Sequence, residues 1–187
     1  MGAVFDFEKE KFIMGLIYND RDVLERALNI LTEKFGEIED SSEEFSFSKE
    51  YSGYYDDELG GEGFRRIVSF KKTVDPGLQA EIKIFTNELE LSLSPVGMRL
   101  INLDPGFLNH GRVMLATTKE TGFRVPIADG IYTELTLFWA RGGWHKFPWT
   151  YRDYQSERIQ KFLTRVRKSY LAERRDKMKK NNKILGD

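Results

Sequence analysis

The fold is first indicated by residues 11–36, KFIMGLIYNDRDVLERALNILTEKFG. The apolar run that ends at Tyr18 predicts a buried strand, and Asp20 is a typical N-cap residue for a helix that follows it. Apolar residues then recur at helical spacing, and Gly36 stands where glycine commonly ends a helix. This stretch therefore predicts a strand followed by an amphipathic helix.

A similar series follows along the chain. Two strands are predicted between the helices, the second over Phe64–Phe70, and Asp75-Pro76 marks the start of the second helix. Met98–Leu103 is the next predicted strand. The tripeptide Asp104-Pro105-Gly106 has the composition of a type II turn and is expected to end it. The first six elements thus run β-α-β-β-α-β, the order of a ferredoxin-like half.

A β-hairpin and a terminal helix complete the predicted fold. Asp129-Gly130 lies between two alternating apolar segments, which is a strong hairpin signal. The last helix is expected to begin near Asp153 or Ser156. The sequence therefore predicts an α+β fold, mainly antiparallel sheet, with a ferredoxin-like βαββαβ start, an added β-hairpin and a C-terminal helix. Residues 1–173 are expected to form a single domain, and residues 174–187 a basic, frayed tail.

The composition excludes several classes of protein. There is no cysteine, which excludes disulfides, thiolate metal sites and cysteine nucleophiles. No apolar run approaches the roughly 20 residues of a membrane span. Residues 1–11 are charged and lack the apolar core of a secretory signal. A cytoplasmic protein without membrane contact is therefore expected.

Charge is unevenly distributed along the chain. Residues 37–62 contain ten acidic residues and one lysine, whereas residues 152–187 contain twelve basic and five acidic residues. Clustered lysine and arginine over residues 158–183 would bind phosphates without sequence specificity, so a nucleic-acid or ribosome-associated module is one alternative function. The same residues also favour the C-terminal end of a helix dipole and solubility. A protein-interaction domain without a small-ligand site is a further alternative.

Acidic residues at the expected ends of strands form a candidate metal and ligand site. Asp104 closes one predicted strand, Asp129 caps a hairpin, and Tyr132 and Glu134 share a sheet face by the period of two. Three carboxylates together with substrate phosphates are a usual environment for Mg²⁺. Asp104, Asp129 and Glu134 are therefore candidate Mg²⁺ ligands. Each also has a structural interpretation, since aspartate is common in turns and a glutamate on an open sheet face is usually solvated.

Basic and polar residues could complete this site. Lys119 and Arg124 could supply positive charge to an anionic ligand. Lys83, Asn87 and Glu90 are spaced i, i+4, i+7 and lie on the face of the second helix opposite its apolar stripe. They either form one wall of a pocket or belong to an exposed face with a weak Lys–Glu pair.

The segment Pro148–Tyr154 is the aromatic part of the candidate site. Trp149, Tyr151 and Tyr154 could form a wall on which a base or sugar stacks, with Asp153 beside them. In the alternative interpretation, Asp153 caps the last helix and the aromatic residues anchor that helix to the sheet. Tyr54-Tyr55, in the acidic region, is either a mobile lid or loop packing.

Five phrases carry a family resemblance: TNELE (86–90), NLDPG (102–106), ATTK (116–119), DGIY (129–132) and PWTYRDY (148–154). With them, the chain from Phe12 to about Tyr170 resembles a family of short prokaryotic proteins classed as a domain of unknown function. Some members of that family carry the label GTP-binding protein, so the resemblance raises the question of a nucleotide site.

A phosphate-binding P-loop is not predicted. That motif requires G-x-x-x-x-G-K-[ST], and the nearest stretch, residues 106–113, has Arg112 and Val113 at the two chemical positions. The leading expectation is therefore a protein that binds a nucleotide or phosphorylated small molecule in some other way, with Mg²⁺ as a candidate cofactor.

Overall fold

In the part of the chain that the structure describes, nine strands form one antiparallel sheet, with helices packed on both of its faces. A computed structural model describes residues 2–95 and 98–184, with side chains described as far as residue 179. The elements are, in chain order, β1 (Glu10–Tyr18), α1 (Arg21–Phe35), β2 (Ile38–Ser41), β3 (Phe45–Ser46), α2 (Phe47–Glu50), α3 (Asp56–Leu59), β4 (Phe64–Val74), α4 (Gln79–Ser92), β5 (Ile101–Leu108), β6 (Arg112–Thr117), β7 (Val125–Ala128), β8 (Ile131–Ala140), β9 (Gly143–Lys146) and α5 (Glu157–Ile184). No helix in the described part of the chain is long and apolar enough to cross a membrane.

The strand order is β2-β4-β1-β5-β6-β8-β7, while β3 pairs with β4 and β9 with β8. The first four strands of this order, joined through α1 and α4, have the arrangement of a ferredoxin-like half. The remaining strands extend the sheet from β5 outward. The predicted α+β fold with an antiparallel sheet and a C-terminal helix is thus confirmed.

The continuous apolar run of β1 is explained by burial on both faces of the sheet. Phe12, Met14 and Leu16 belong to the core beneath α1 and α4. Ile13 points to the opposite face and belongs to the core beneath α5. The Asp20 carboxylate accepts hydrogen bonds from two backbone N–H groups at the start of α1, as predicted.

The chain does not turn at Asp104-Pro105-Gly106, so this prediction was wrong. β5 continues through these residues to Leu108. β6 pairs with β5 only from Gly106 to Leu108. Pro105 lies just before this ladder, so the N–H that proline lacks does not remove a hydrogen bond to β6. A Cβ at Gly106 would lie 2.7 Å from the Met114 carbonyl oxygen. The tripeptide therefore marks the place where two strands meet.

The predicted hairpin turn at Asp129-Gly130 and the last helix form as expected. Asp129 and Gly130 have φ values of 51° and 74° and join β7 to β8. The predicted domain boundary at residue 173 falls inside α5, which continues to Ile184. Within that extension, Arg174 donates to a Glu8 carboxylate oxygen at 2.6 Å. Residues 185–187 of the predicted tail lie outside the described residues.

Candidate functional site

The candidate site begins where β5 and β6 separate. Because their ladder covers only three residues of β5, the backbone of Leu103 has no partner on β6. Lys83 Nζ donates to the Leu103 carbonyl oxygen at 2.8 Å, and the Leu103 N–H donates to Glu90 Oε1 at 2.6 Å. Two side chains of α4 thus take the place of a neighbouring strand, and their face of the helix is buried against β5. Asn87, between them, is half-buried.

A cavity of about 60 Å³ lies at this separation. Side chains from β1, β4, β5, β6 and β8 line it, together with Tyr151, Asp153 and Tyr154, which precede α5, and with two residues of the 47–62 segment, Phe47 and Tyr55. Its charged and phenolic lining residues are Tyr55, Arg65, Asp104, Glu134, Tyr151, Asp153 and Tyr154. Asp104, Glu134, Tyr151 and Asp153 were candidates from the sequence, and the structure brings them together.

Arg65 is the central cation of the cavity. From β4 it passes over Gly15 on β1, and its Nη1 donates to Asp104 Oδ2 on β5 at 3.1 Å. Its Nε lies 3.2 Å from Asp153 Oδ2. A Cβ at Gly15 would be 2.8 Å from Arg65 Nη2, so this path requires glycine in the middle strand.

The pKa values of the two carboxyl groups beside Arg65 are shifted in opposite directions. Burial alone would raise the pKa of Asp104, but the charges of Arg65 and Lys83 and a hydrogen bond from Asn102 lower it below its usual value. Burial raises the pKa of Asp153, and the attraction of Arg65 offsets this only in part. For Arg65, the attraction of Asp153 and Asp104 outweighs burial, so its pKa is raised and it stays charged.

A second ion pair closes the other side of the cavity. Arg124 Nε donates to Glu134 Oε2 at 2.8 Å, and its Nη2 donates to the Tyr151 hydroxyl at 2.8 Å. Burial raises the pKa of Glu134, which Arg124 offsets only in part. Burial likewise raises the pKa of Tyr55 to about 12. Such perturbed groups in one cleft are typical of functional sites.

Two buried polar atoms of lining residues, Arg65 Nε and the Tyr154 hydroxyl, have no hydrogen-bond partner among the described residues. Tyr154 is fully buried, and its ring lies 5.6 Å from the Arg65 guanidinium. A buried hydroxyl without a hydrogen-bond partner lowers the stability of a fold by about 1–3 kcal/mol, so the presence of this hydroxyl requires an explanation.

An outer groove of about 340 Å³ adjoins the cavity. Phe47, Tyr151 and Asp153 line both spaces, and Tyr51 and Arg152 line only the groove. Phe47 belongs to the 47–62 segment, which also supplies Tyr55 as a lining residue of the cavity. Tyr55 belongs to the Tyr54-Tyr55 pair, for which a mobile lid and loop packing were the two interpretations of the sequence.

The predicted three-carboxylate metal site is not assembled. Asp129 lies in the exposed β7–β8 turn, away from the cavity lined by Asp104 and Glu134. In the ranges 2–95 and 98–184, no three His, Cys, Asp or Glu side chains are grouped so as to hold a metal ion. Lys119 is exposed, with its ammonium 5.1 Å from the centre of the Tyr54 ring, and Tyr132 is half-buried on β8.

Trp149 has a structural role. Its ring stacks between Phe123, at 4.9 Å, and Phe147, at 5.0 Å, so both of its faces are covered. Its Nε1 donates to the Leu135 carbonyl oxygen at 2.9 Å. Leu135 lies on β8 between the residues that pair with β7 and those that pair with β9. These contacts favour the aromatic anchor for Trp149, while Tyr151 and Asp153 from the same segment line the cavity.

The acidic and basic regions of the sequence meet within one chain. Arg165 of α5 forms two hydrogen bonds with the Asp40 carboxylate, the shorter of them 2.8 Å, and Arg158 lies 3.3 Å from Glu50. The basic surface of α5 is thus partly neutralised by residues 37–62.

Arg65 is the charged lining residue that sequence reasoning did not select, whereas Tyr154 was a candidate for its aromatic ring and not for its hydroxyl. The sequence signal for the space that Arg65 occupies is Gly15, a glycine inside the apolar run of β1.

A comparison with family models gives one match, to the model described as "Domain of unknown function (DUF4416)", over residues 8–170. The search of curated proteins and the search of solved structures give no match.

Proposed function

The chain belongs to the DUF4416 family, a domain of unknown function, and we propose that it binds a small organic molecule in the cavity and outer groove beside β5. The Tyr154 side chain carries this proposal, because it lines the cavity and is fully buried, and its hydroxyl has no hydrogen-bond partner among the described residues. A bound molecule that pairs with this hydroxyl would remove the cost of burying it.

The dimensions support a ligand that enters only in part. Pockets that enclose a drug-sized ligand usually measure about 300–1,000 Å³. The inner cavity, at about 60 Å³, has room for a few water-sized groups, whereas the groove, at about 340 Å³, is within that range. One end of the molecule would therefore lie inside, and the remainder would lie beside Phe47 and Tyr51.

A phosphate, in the nucleotide or phosphorylated small molecule expected from the sequence, would lie in the groove. Inside the cavity, Arg65 and Arg124 already face three carboxylates, which disfavours another anion. Arg152 lines the groove and forms no ion pair within the described ranges. Mg²⁺ is not part of the proposal, and the pairing of α5 with the acidic region gives no specific support to nucleic-acid binding.

The proposal is tested by thermal shift of the full chain with nucleotides, sugar phosphates, polyols and small amines. A bound ligand should raise the melting temperature of the wild type. Tyr154→Phe should lose most of this rise, while the matched carboxylate control Asp129→Asn, in an exposed turn, should keep it. Asp153→Asn changes a second lining residue. If every compound raises the melting temperatures of Tyr154→Phe and Asp153→Asn as much as that of the wild type, the ligand site is elsewhere.

A further inference from the structure

The groups that face the cavity carry an excess of negative charge. Asp104, Glu134 and Asp153 line it, and they are balanced by Arg65 and by Arg124, which pairs with Glu134. One carboxylate charge is therefore left over. Behind β5, the nearby cations Lys83 and Arg99 are matched in number by the anions Glu90 and Glu58.

One carboxylate oxygen is also free to accept a hydrogen bond. The Asp104 side chain is 30% exposed, and both of its hydrogen bonds, from Arg65 and Asn102, go to Oδ2. Within the part of the chain described, Oδ1 has no partner. Together with the unpartnered hydroxyl of Tyr154, the cavity offers two acceptors to a group that donates several hydrogen bonds.

The aromatic walls also favour a cation. Phe47, Tyr55, Tyr151 and Tyr154 contribute four aromatic rings to the lining. Aromatic faces attract ammonium groups by about 0.5–2 kcal/mol, and rings combined with carboxylates are a recurrent way to bind them. A metal ion fits less well, because the described residues provide no group of three ligands.

We infer that the ligand is a primary amine whose protonated amino group occupies the cavity. Its hydrocarbon or ring portion lies in the outer groove beside Phe47 and Tyr51. The ammonium group donates to Asp104 Oδ1 and to the Tyr154 hydroxyl and balances the excess carboxylate. This inference rests on the proposed function and names the ligand class of the same site.

Three probes of nearly equal shape isolate the effect of charge: phenethylamine, 2-phenylethanol and phenylacetate. Each is titrated into the full chain, and binding is followed by NMR at the backbone amides of Asp104 and Asp153. Phenethylamine should bind at least about tenfold more tightly than the alcohol, and phenylacetate should bind most weakly. The amide of Gly130, in the exposed hairpin turn, should not respond.

Two variants assign the preference to the cavity. Tyr154→Phe leaves every charge in place and should weaken phenethylamine binding by about tenfold, because a hydrogen bond to a charged group is lost. Asp104→Asn should reduce the preference for the amine over the alcohol, while Asp129→Asn should leave it unchanged. If Asp104→Asn does not fold, Tyr154→Phe still decides the question.

Failure of this inference is distinguishable from failure of the proposed function. If the alcohol or phenylacetate binds at the Asp104 and Asp153 amides as tightly as the amine, the amine class is wrong and the ligand site stands. If no probe binds there up to about 10 mM, the amine class is also wrong. The ligand site then stands only if a nucleotide, sugar phosphate or polyol perturbs the same amides.

Discussion

Replacement of Arg65 by methionine should destabilise the fold by about 3–5 kcal/mol near neutral pH. The guanidinium is 3% exposed and lies 3.1 Å from Asp104 and 3.2 Å from Asp153. Methionine retains much of the volume but removes the guanidinium that lies between the two carboxylates. The cost exceeds that of an exposed ion pair, because the remaining charges are not restored to water.

The destabilisation should decrease as the pH falls. In the wild type, the pKa of Asp104 is below its usual value, so this group stabilises the fold at neutral pH and loses that effect as the pH falls through the lowered pKa. In Arg65→Met, the attraction of the guanidinium is lost, so the pKa of Asp153 would rise further and that of Asp104 would rise although Lys83 and Asn102 remain. Both changes would destabilise the fold at neutral pH relative to the wild type, and protonation would remove the penalty.

Urea unfolding of both proteins near pH 7 and near pH 5 measures this difference in free energy. Arg66→Met is the matched control, since Arg66 is the next residue of β4, is 28% exposed and pairs with Glu44 at 3.4 Å. Its loss should cost about 0–1 kcal/mol. Equal losses for the two variants, or an Arg65→Met loss that does not shrink at the lower pH, would refute the reasoning.

Three further changes test single contacts. Tyr154→Phe should leave the free energy of unfolding unchanged or raise it by up to about 1 kcal/mol in urea, because an unpartnered buried hydroxyl is removed; a clear destabilisation would mean that the hydroxyl has a partner in solution. Gly15→Ala should cost about 1–3 kcal/mol, since the added Cβ would lie 2.8 Å from Arg65, whereas Gly122→Ala meets no atom within 4 Å and should be close to neutral in the same assay. Lys83→Met removes the donor to a β5 carbonyl and should lower stability by about 1–3 kcal/mol; a neutral result would show that water replaces the ammonium.

Much of the fold follows from local patterns in the sequence. The caps at Asp20 and Asp75, the helical spacing of α1 and the Asp129-Gly130 turn are short-range signals, and each gave the correct element. Asp104-Pro105-Gly106 was predicted as a turn because aspartate, proline and glycine are common in turns. The same residue types also occur at the edge of a strand, at the point where a neighbouring strand begins to pair with it. Which edge is paired depends on β6, a later part of the chain.

The candidate site was only partly accessible from sequence. Period-two patterning and position before α5 selected Glu134, Tyr151 and Asp153, and these do meet at one cavity. Arg65 was not selected, because it reaches Asp104 across 39 positions of sequence and through the register of β4 and β1 with β5. That their shared role is ligand binding stays a prediction.

The position of the cavity follows from the way in which the sheet is extended. The ferredoxin-like half contributes Arg65 and Asp104, and the strands and loop that follow contribute Glu134, Tyr151 and Tyr154. Since neither part contains the cavity alone, it exists only because β6 pairs with three residues of β5 and then separates. α4 supports this separation, as Lys83 and Glu90 satisfy the backbone that β6 leaves unpaired. A molecule bound in the cavity would contact both parts, so binding should oppose local opening between β5 and β6 as well as global unfolding.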